Sequence, residues 1–99
     1  MSDTRFEWPM YRHTCRQAEA FDRMMARTGV DPRIGAALDR GSAFLAARAK
    51  CIACPAAGAC RDWLARVDPL PVAPPGFCAN GPFLHRCLER QGARRPPAA

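Results

Sequence analysis

The chain has 99 residues, 48% of them hydrophobic, and a net charge of +6, which suits one domain and is too short for two. No segment reaches the roughly 20 apolar residues that a membrane helix needs, and the N-terminus lacks the basic start and apolar run of a secretory signal. These features exclude a membrane protein and predict a cytoplasmic one. The fourteen arginines are spread along the chain, so the charge gives little support for a nucleic-acid partner.

Six cysteines at uneven spacing stand out in so short a chain. In a reducing compartment this pattern favours metal ligation over a disulfide framework. A chain of this length also buries a thin core, so a metal centre would add stability that the core cannot easily supply.

The hydrophobic pattern predicts an all-α fold. Apolar residues recur at steps of three and four, and no segment alternates with period two. We therefore expect a small bundle of about five short helices, tied together by a cysteine-ligated metal or cluster site. Residues 1–8 are expected to form a flexible arm, 9–92 the single helical domain and 93–99 a disordered tail.

The first two helices have clear start and stop signals. Pro9 suits a first helical residue, and Gly29 is a typical C-cap. Asp31 can cap the second helix, with Pro32 in its first turn. That helix is expected to stop at Gly41.

The remaining helices carry the cysteines. Ser42 is predicted to cap a third helix that brings Cys51 to its last turn, and Pro55 to open a fourth. A proline-rich connection then leads to a last helix, with Asn80 as its cap and its end near Gly92.

The strongest signal is the spacing of three cysteines, C-x2-C-x5-C, in Cys51, Cys54 and Cys60, with Cys78 one loop further on. Thiolates are the usual ligands of structural zinc and of iron–sulfur clusters. We predict that these four residues hold the centre. Structural zinc more often uses two tight pairs of ligands, and Cys78 has no such partner, so a [4Fe–4S] cluster is favoured and zinc is the alternative.

Two other cysteines are alternative fourth ligands. Cys15 is placed on the apolar stripe of the first helix and Cys87 on that of the last. Both positions are more typical of small buried core residues. His13 and His85 are possible nitrogen ligands, but their neighbours predict surface positions.

The segment Cys51-x2-Cys54-Pro-x4-Cys60, followed by Trp63-Leu64, resembles the centre of the WhiB-like actinobacterial regulators. This resemblance implies a [4Fe–4S] cluster and a role in transcription through contact with a sigma factor. It also implies that the fourth ligand is an upstream cysteine, which here would be Cys15.

A longer pattern runs through most of residues 12–88. It includes the three spaced cysteines, and it is similar to a family of small uncharacterised alphaproteobacterial domains. The resemblance implies that Cys78 is the fourth recurring cysteine, and it brings no established activity. The other matching elements, in order, are Arg12-His13, Gly29-Val30-Asp31, Trp63-Leu64 and Phe77-Cys78-x-Asn80.

Two functions follow from these features. The first is a small cytoplasmic iron–sulfur protein with a redox, electron-transfer or oxygen-sensing role and a protein partner. The second is a structural zinc module that mediates protein or nucleic-acid interaction. An enzyme is not expected, because no grouping of nucleophile, base and acid and no phosphate-binding loop stands out.

Overall fold

The computed structural model describes residues 9–66 and 71–94. The predicted arm at 1–8 and residues 95–99 of the predicted tail lie outside the described residues. Within the described ranges all regular secondary structure is helical, so the predicted all-α class is confirmed. In chain order the elements are α1 (Pro9–Thr28), α2 (Pro32–Ala37), a 3-10 turn (Leu38–Gly41), α3 (Ser42–Ile52), α4 (Ala57–Ala65) and α5 (Gly81–Arg94).

Helix α1 is the longest element, and both of its ends lie where the sequence predicts. Gly29 has φ +77°, a conformation that glycine adopts without steric cost. The Gly29 amide donates to Ala26 O and the Val30 amide to Met25 O, which is the Schellman pattern of helix termination. The buried face follows helical spacing and consists of Gln17, Phe21, Met24, Met25 and Thr28.

Helix α2 starts as predicted and stops early. The Asp31 side chain accepts a hydrogen bond of 2.9 Å from the Arg33 amide, so it is the N-cap. The helix ends at Ala37 because Asp39 and Arg40 have positive φ values of 49° and 57°, and left-handed residues cannot continue a right-handed helix.

The predicted cap at Ser42 is wrong. Ser42 is the first residue of α3, its N-cap position is Gly41, and the Ser42 hydroxyl donates to Asp39 O at 2.9 Å. The hydroxyl therefore closes the preceding 3-10 turn and leaves the α3 amides without a side-chain cap. Arg86 of α5 holds the same turn through two hydrogen bonds to the Asp39 carboxylate, at 3.1 and 3.2 Å.

The last two helices differ from their predicted bounds. Helix α4 begins at Ala57, after Pro55, and ends at Ala65. Helix α5 begins after Asn80, whose carbonyl accepts from the Leu84 amide at 2.9 Å as a cap residue should. It continues to Arg94, beyond the predicted end near Gly92 and into the predicted tail.

Three phenylalanines join the helices at the centre of the core. Phe21 of α1 lies 5.3 Å from Phe44 of α3 and 5.9 Å from Phe83 of α5, measured between ring centroids. Their edge-on and tilted contacts are the arrangements that aromatic rings favour. The core thus attaches α3 and α5 to α1, and this positions the cysteines that those helices carry or adjoin.

The described residues contain no single helix that is long and apolar enough to cross a membrane. One bent pair of helical segments, Pro32–Ile52 and Ala57–Ala65, is long and apolar enough to do so by length and composition alone.

Candidate metal centre

Four cysteines from separate parts of the chain line one cavity. Cys51 lies in the last turn of α3, Cys54 in the turn that follows, Cys60 on α4 and Cys78 in the connection before α5. The cavity has a volume of about 20 Å³. The structure therefore brings together the four cysteines that the sequence spacing selected.

No carboxylate or imidazole of a described residue is part of the cavity wall, whose other polar side chains are the neutral amides of Gln17 and Asn80. Among the described residues the cysteines are therefore the ionisable donors of the cavity, which suits zinc or an iron–sulfur cluster. The volume is enough for about one water-sized sphere. This space is closer to the size of a single ion than to that of a cluster. The remaining lining residues are Gln17, Phe21, Met24, Phe77, Ala79 and Asn80.

The four cysteine side chains do not have the geometry of a metal site. Among residues 9–66 and 71–94, no group of three or more His, Cys, Asp or Glu side chains has the geometry that a metal ion needs. The Cys51 thiol donates to the Gln17 carbonyl, with Sγ and O 3.4 Å apart. Metal binding at this sulfur would remove the proton that makes this hydrogen bond.

Backbone amides already point at two of the sulfurs. The Ala56 amide donates to Cys54 Sγ at 3.4 Å. Burial raises the pKa of the Cys78 thiol, and a hydrogen bond with the backbone of Asn80 offsets part of that rise. Amide donors stabilise the thiolate over the thiol, and they tune the potential of a cluster bound to such sulfurs.

Burial opposes ionisation of the same thiols. It is the largest cause that raises the pKa of Cys51 to about 11, with further contributions from Cys60, Cys54 and Cys78. Burial also raises the pKa values of Cys60 and Cys78, and neighbouring cysteines add to both shifts. These three groups are therefore neutral thiols at pH 7 in the metal-free protein, and a bound cation supplies the attraction that deprotonates them.

A positive group that the sequence did not select lies near Cys60. Burial and neighbouring cysteines raise the pKa of that thiol, and Arg23 of α1 opposes part of the rise. Arg23 also donates to Leu64 O of α4 at 3.1 Å. Arg48 and Lys50, which precede or adjoin Cys51 in the sequence, are both exposed, and neither lines the cavity. Arg23 was missed because its link to α4 spans 41 residues.

Two side chains of α1 attach that helix to the end of α3. His13 Nε2 lies 2.8 Å from Ile52 O, and Gln17 Nε2 donates to Cys51 O at 2.9 Å. The last carbonyls of a helix have no partner within it, so these contacts satisfy both. The predicted surface position of His13 is wrong, since the side chain is half-buried. The sequence did contain a spacing signal for both contacts, because His13 and Gln17 lie eight and four residues before the buried Phe21.

The two alternative ligands lie away from the cavity. Cys15 is exposed and lines a separate groove with Tyr11, Arg12 and Arg16. Its predicted place on the buried stripe is wrong, because the buried face of α1 runs through Gln17, which is two residues further along and therefore about half a turn away from Cys15.

Cys87 occupies the core, as its position on the last helix suggested. It is 0% exposed, and its Sγ lies 3.5 Å from where a Cβ on Gly35 would stand. Glycine at position 35 therefore lets α2 approach α5 closely. His85, on the same helix, is exposed as predicted.

Asn80 anchors the loop that carries Cys78. Its Nδ2 donates to Ala47 O of α3 at 2.8 Å, and the residue is 4% exposed. The side chain therefore crosses to α3 and does not cap α5, although its carbonyl stands at the cap position. Through this bond and its backbone contact with Cys78, Asn80 positions one wall of the cavity.

We expect Asn80→Ala to lower the free energy of unfolding by about 1–2 kcal/mol, because a buried hydrogen bond is lost. Asn80→Asp is expected to be no better, since a carboxylate cannot donate to Ala47 O and is costly to bury. Urea denaturation of both variants measures the loss. An Asn80→Asp protein as stable as the wild type would show that the bond to α3 does not matter.

Residues 9–90 match the model of a family described as a family of unknown function, DUF6455. The chain belongs to this family. No curated protein and no solved structure gives a significant match to the chain. The match supports the predicted resemblance to an uncharacterised domain family and includes all four cysteines of the cavity. It shows no similarity to the WhiB-like regulators, which remains a hypothesis from cysteine spacing.

Proposed function

We propose that this DUF6455 domain is a small cytoplasmic [4Fe–4S] protein with a redox, electron-transfer or oxygen-sensing role. One observation carries the proposal: Cys51, Cys54, Cys60 and Cys78 line a single cavity. A cluster of this kind binds one thiolate per iron, so four cysteines complete its ligand set.

The positions of the four cysteines in the fold support a cluster over zinc. Structural zinc sites are typically built from two close pairs of ligands. Here Cys51 and Cys54 form one such pair, while Cys60 is on a helix and Cys78 in a distant connection. A cluster, which binds each cysteine at a different iron, suits ligands that approach from separate directions.

The surroundings support a redox role. Cys51, Cys54 and Cys78 are half-buried, so a centre among them would lie close enough to the surface for electrons to enter and leave. When bound, the cluster supplies a one-electron couple, and its potential depends on hydrogen bonds to sulfur and on solvent exposure. The amides of Ala56 and Asn80 supply such hydrogen bonds, and Phe77, which is 40% exposed, covers one side.

A structural zinc site is the second candidate, and the size of the cavity favours it. A volume of about 20 Å³ is closer to the size of one ion than to that of a cluster. In that case the metal would stabilise a thin core, and the protein would act through its surface on a protein or nucleic-acid partner. Neither candidate assigns a catalytic residue.

Anaerobic purification distinguishes the two candidates. We expect brown protein that contains iron and acid-labile sulfide in equal amounts, with visible absorption that bleaches in air. Colourless protein with about one zinc per chain would select the structural module. Protein that takes up neither zinc nor iron and sulfide, even after reconstitution, would contradict both.

A further inference from the structure

A basic groove lies between α1 and α4, outside the cysteine cavity. It has a volume of about 250 Å³, and its charged side chains are three arginines and one glutamate. We call it the arginine groove. Its lining residues are Arg16, Gln17, Glu19, Ala20, Arg23, Ala57, Arg61 and Leu64.

Among residues 9–66 and 71–94, no ion pair involves the guanidinium groups of this groove. Arg16 and Arg61 are exposed, and neither forms an ion pair with a residue that the structure describes. Arg23 donates to a neutral acceptor, the Leu64 carbonyl. Elsewhere Arg33 and Arg86 are paired with Asp31 and Asp39. The groove therefore combines a net positive charge with free N–H donors that match the geometry of carboxylates.

The arginine groove adjoins the cysteine site. Gln17 lines both the groove and the cavity. Arg61 follows Cys60 directly in α4, and Arg23 is near enough to that thiol to lower its pKa. An anionic group held in the groove would thus lie beside any centre that the four cysteines bind.

We propose that the arginine groove docks Asp and Glu side chains of an acidic partner protein. If the docked partner exchanges electrons with the cysteine site, that part of the proposal rests on the redox function proposed above. The binding of an acidic partner rests only on the charge and lining of the groove. Clustered charge of one sign steers a complementary partner into place and fixes its orientation.

The composition of the groove favours a protein over a nucleic acid. No aromatic side chain lines it, so it offers no surface on which bases could stack. Glu19 stands among the arginines and would repel a continuous phosphate backbone, whereas a protein surface can place a basic residue opposite it.

Fluorescence anisotropy with a labelled polyglutamate peptide at low salt tests the docking surface. The protein is purified anaerobically and its metal content is measured first. Replacing both Arg16 and Arg61 with Gln is expected to weaken binding on the order of tenfold. The matched control replaces Arg48 and Arg90, two other exposed arginines, with Gln and is expected to change binding less than about twofold, because it removes the same charge elsewhere.

The outcomes separate this proposal from the previous one. Equal weakening by the two double variants would mean that only net charge matters, and the groove proposal would fail. Loss of binding to a labelled single-stranded oligonucleotide, with polyglutamate binding unchanged, would assign the groove to nucleic acid and also overturn it. The protein could also prove to be metal-free, with peptide binding lost only in the Arg16→Gln/Arg61→Gln variant. This result would support the docking proposal and contradict the proposed iron–sulfur function.

Discussion

A Cys78→Ser protein purified anaerobically is expected to retain less than about a tenth of the wild-type iron and sulfide. Cys78 lines the cavity with the three spaced cysteines, and it is held there by the Asn80 backbone. A hydroxyl is a much poorer ligand for iron or zinc than a thiolate. The measurement is metal and sulfide per chain, with the visible spectrum recorded on the same sample.

Cys15→Ser is the matched control and is expected to retain the wild-type iron. Its side chain is exposed and lines a different groove. The WhiB-like hypothesis makes the reverse prediction, since it assigns the fourth ligand to Cys15. Retention of iron by Cys78→Ser together with its loss in Cys15→Ser would therefore replace our ligand set with that one.

Phe21→Ala is expected to cause the largest loss of stability, about 3–5 kcal/mol. The ring is 1% exposed and contacts both Phe44 and Phe83. Removing it leaves a cavity where α1, α3 and α5 meet. Because domains of this size have a free energy of unfolding of about 5–15 kcal/mol, the loss is a large share of the total. Urea denaturation in a metal-free preparation measures it without a contribution from the centre.

Two companion variants keep this prediction testable if Phe21→Ala does not fold. Phe21→Leu retains much of the buried area and is expected to lose less stability. Met10→Ala, on the same helix at a side chain that is 72% exposed, is expected to stay within about 0.5 kcal/mol of the wild type. A Phe21→Leu protein as stable as the wild type would show that the aromatic contacts are not central to the core.

Local signals in the sequence correctly predicted both ends of α1 and the starts of α2 and α5. Gly29 and Asp31 act within a few residues of the ends that they define, so their effect is visible without the fold. Ser42 misled for the opposite reason. Its hydroxyl donates to Asp39 O in a left-handed turn, and Arg86 of α5 holds that turn. Because Arg86 is distant in the chain, the residues around Ser42 do not reveal this contact.

The sequence by itself determined the helical class and selected the four thiols, because helical periodicity and cysteine spacing are short-range patterns. Only the tertiary structure decided what surrounds those thiols. Gln17, Arg23 and Asn80 reach the site through hydrogen bonds that span 34, 41 and 33 residues. Such contacts depend on how helices pack around Phe21, and one sequence contains no repeat or motif that records them.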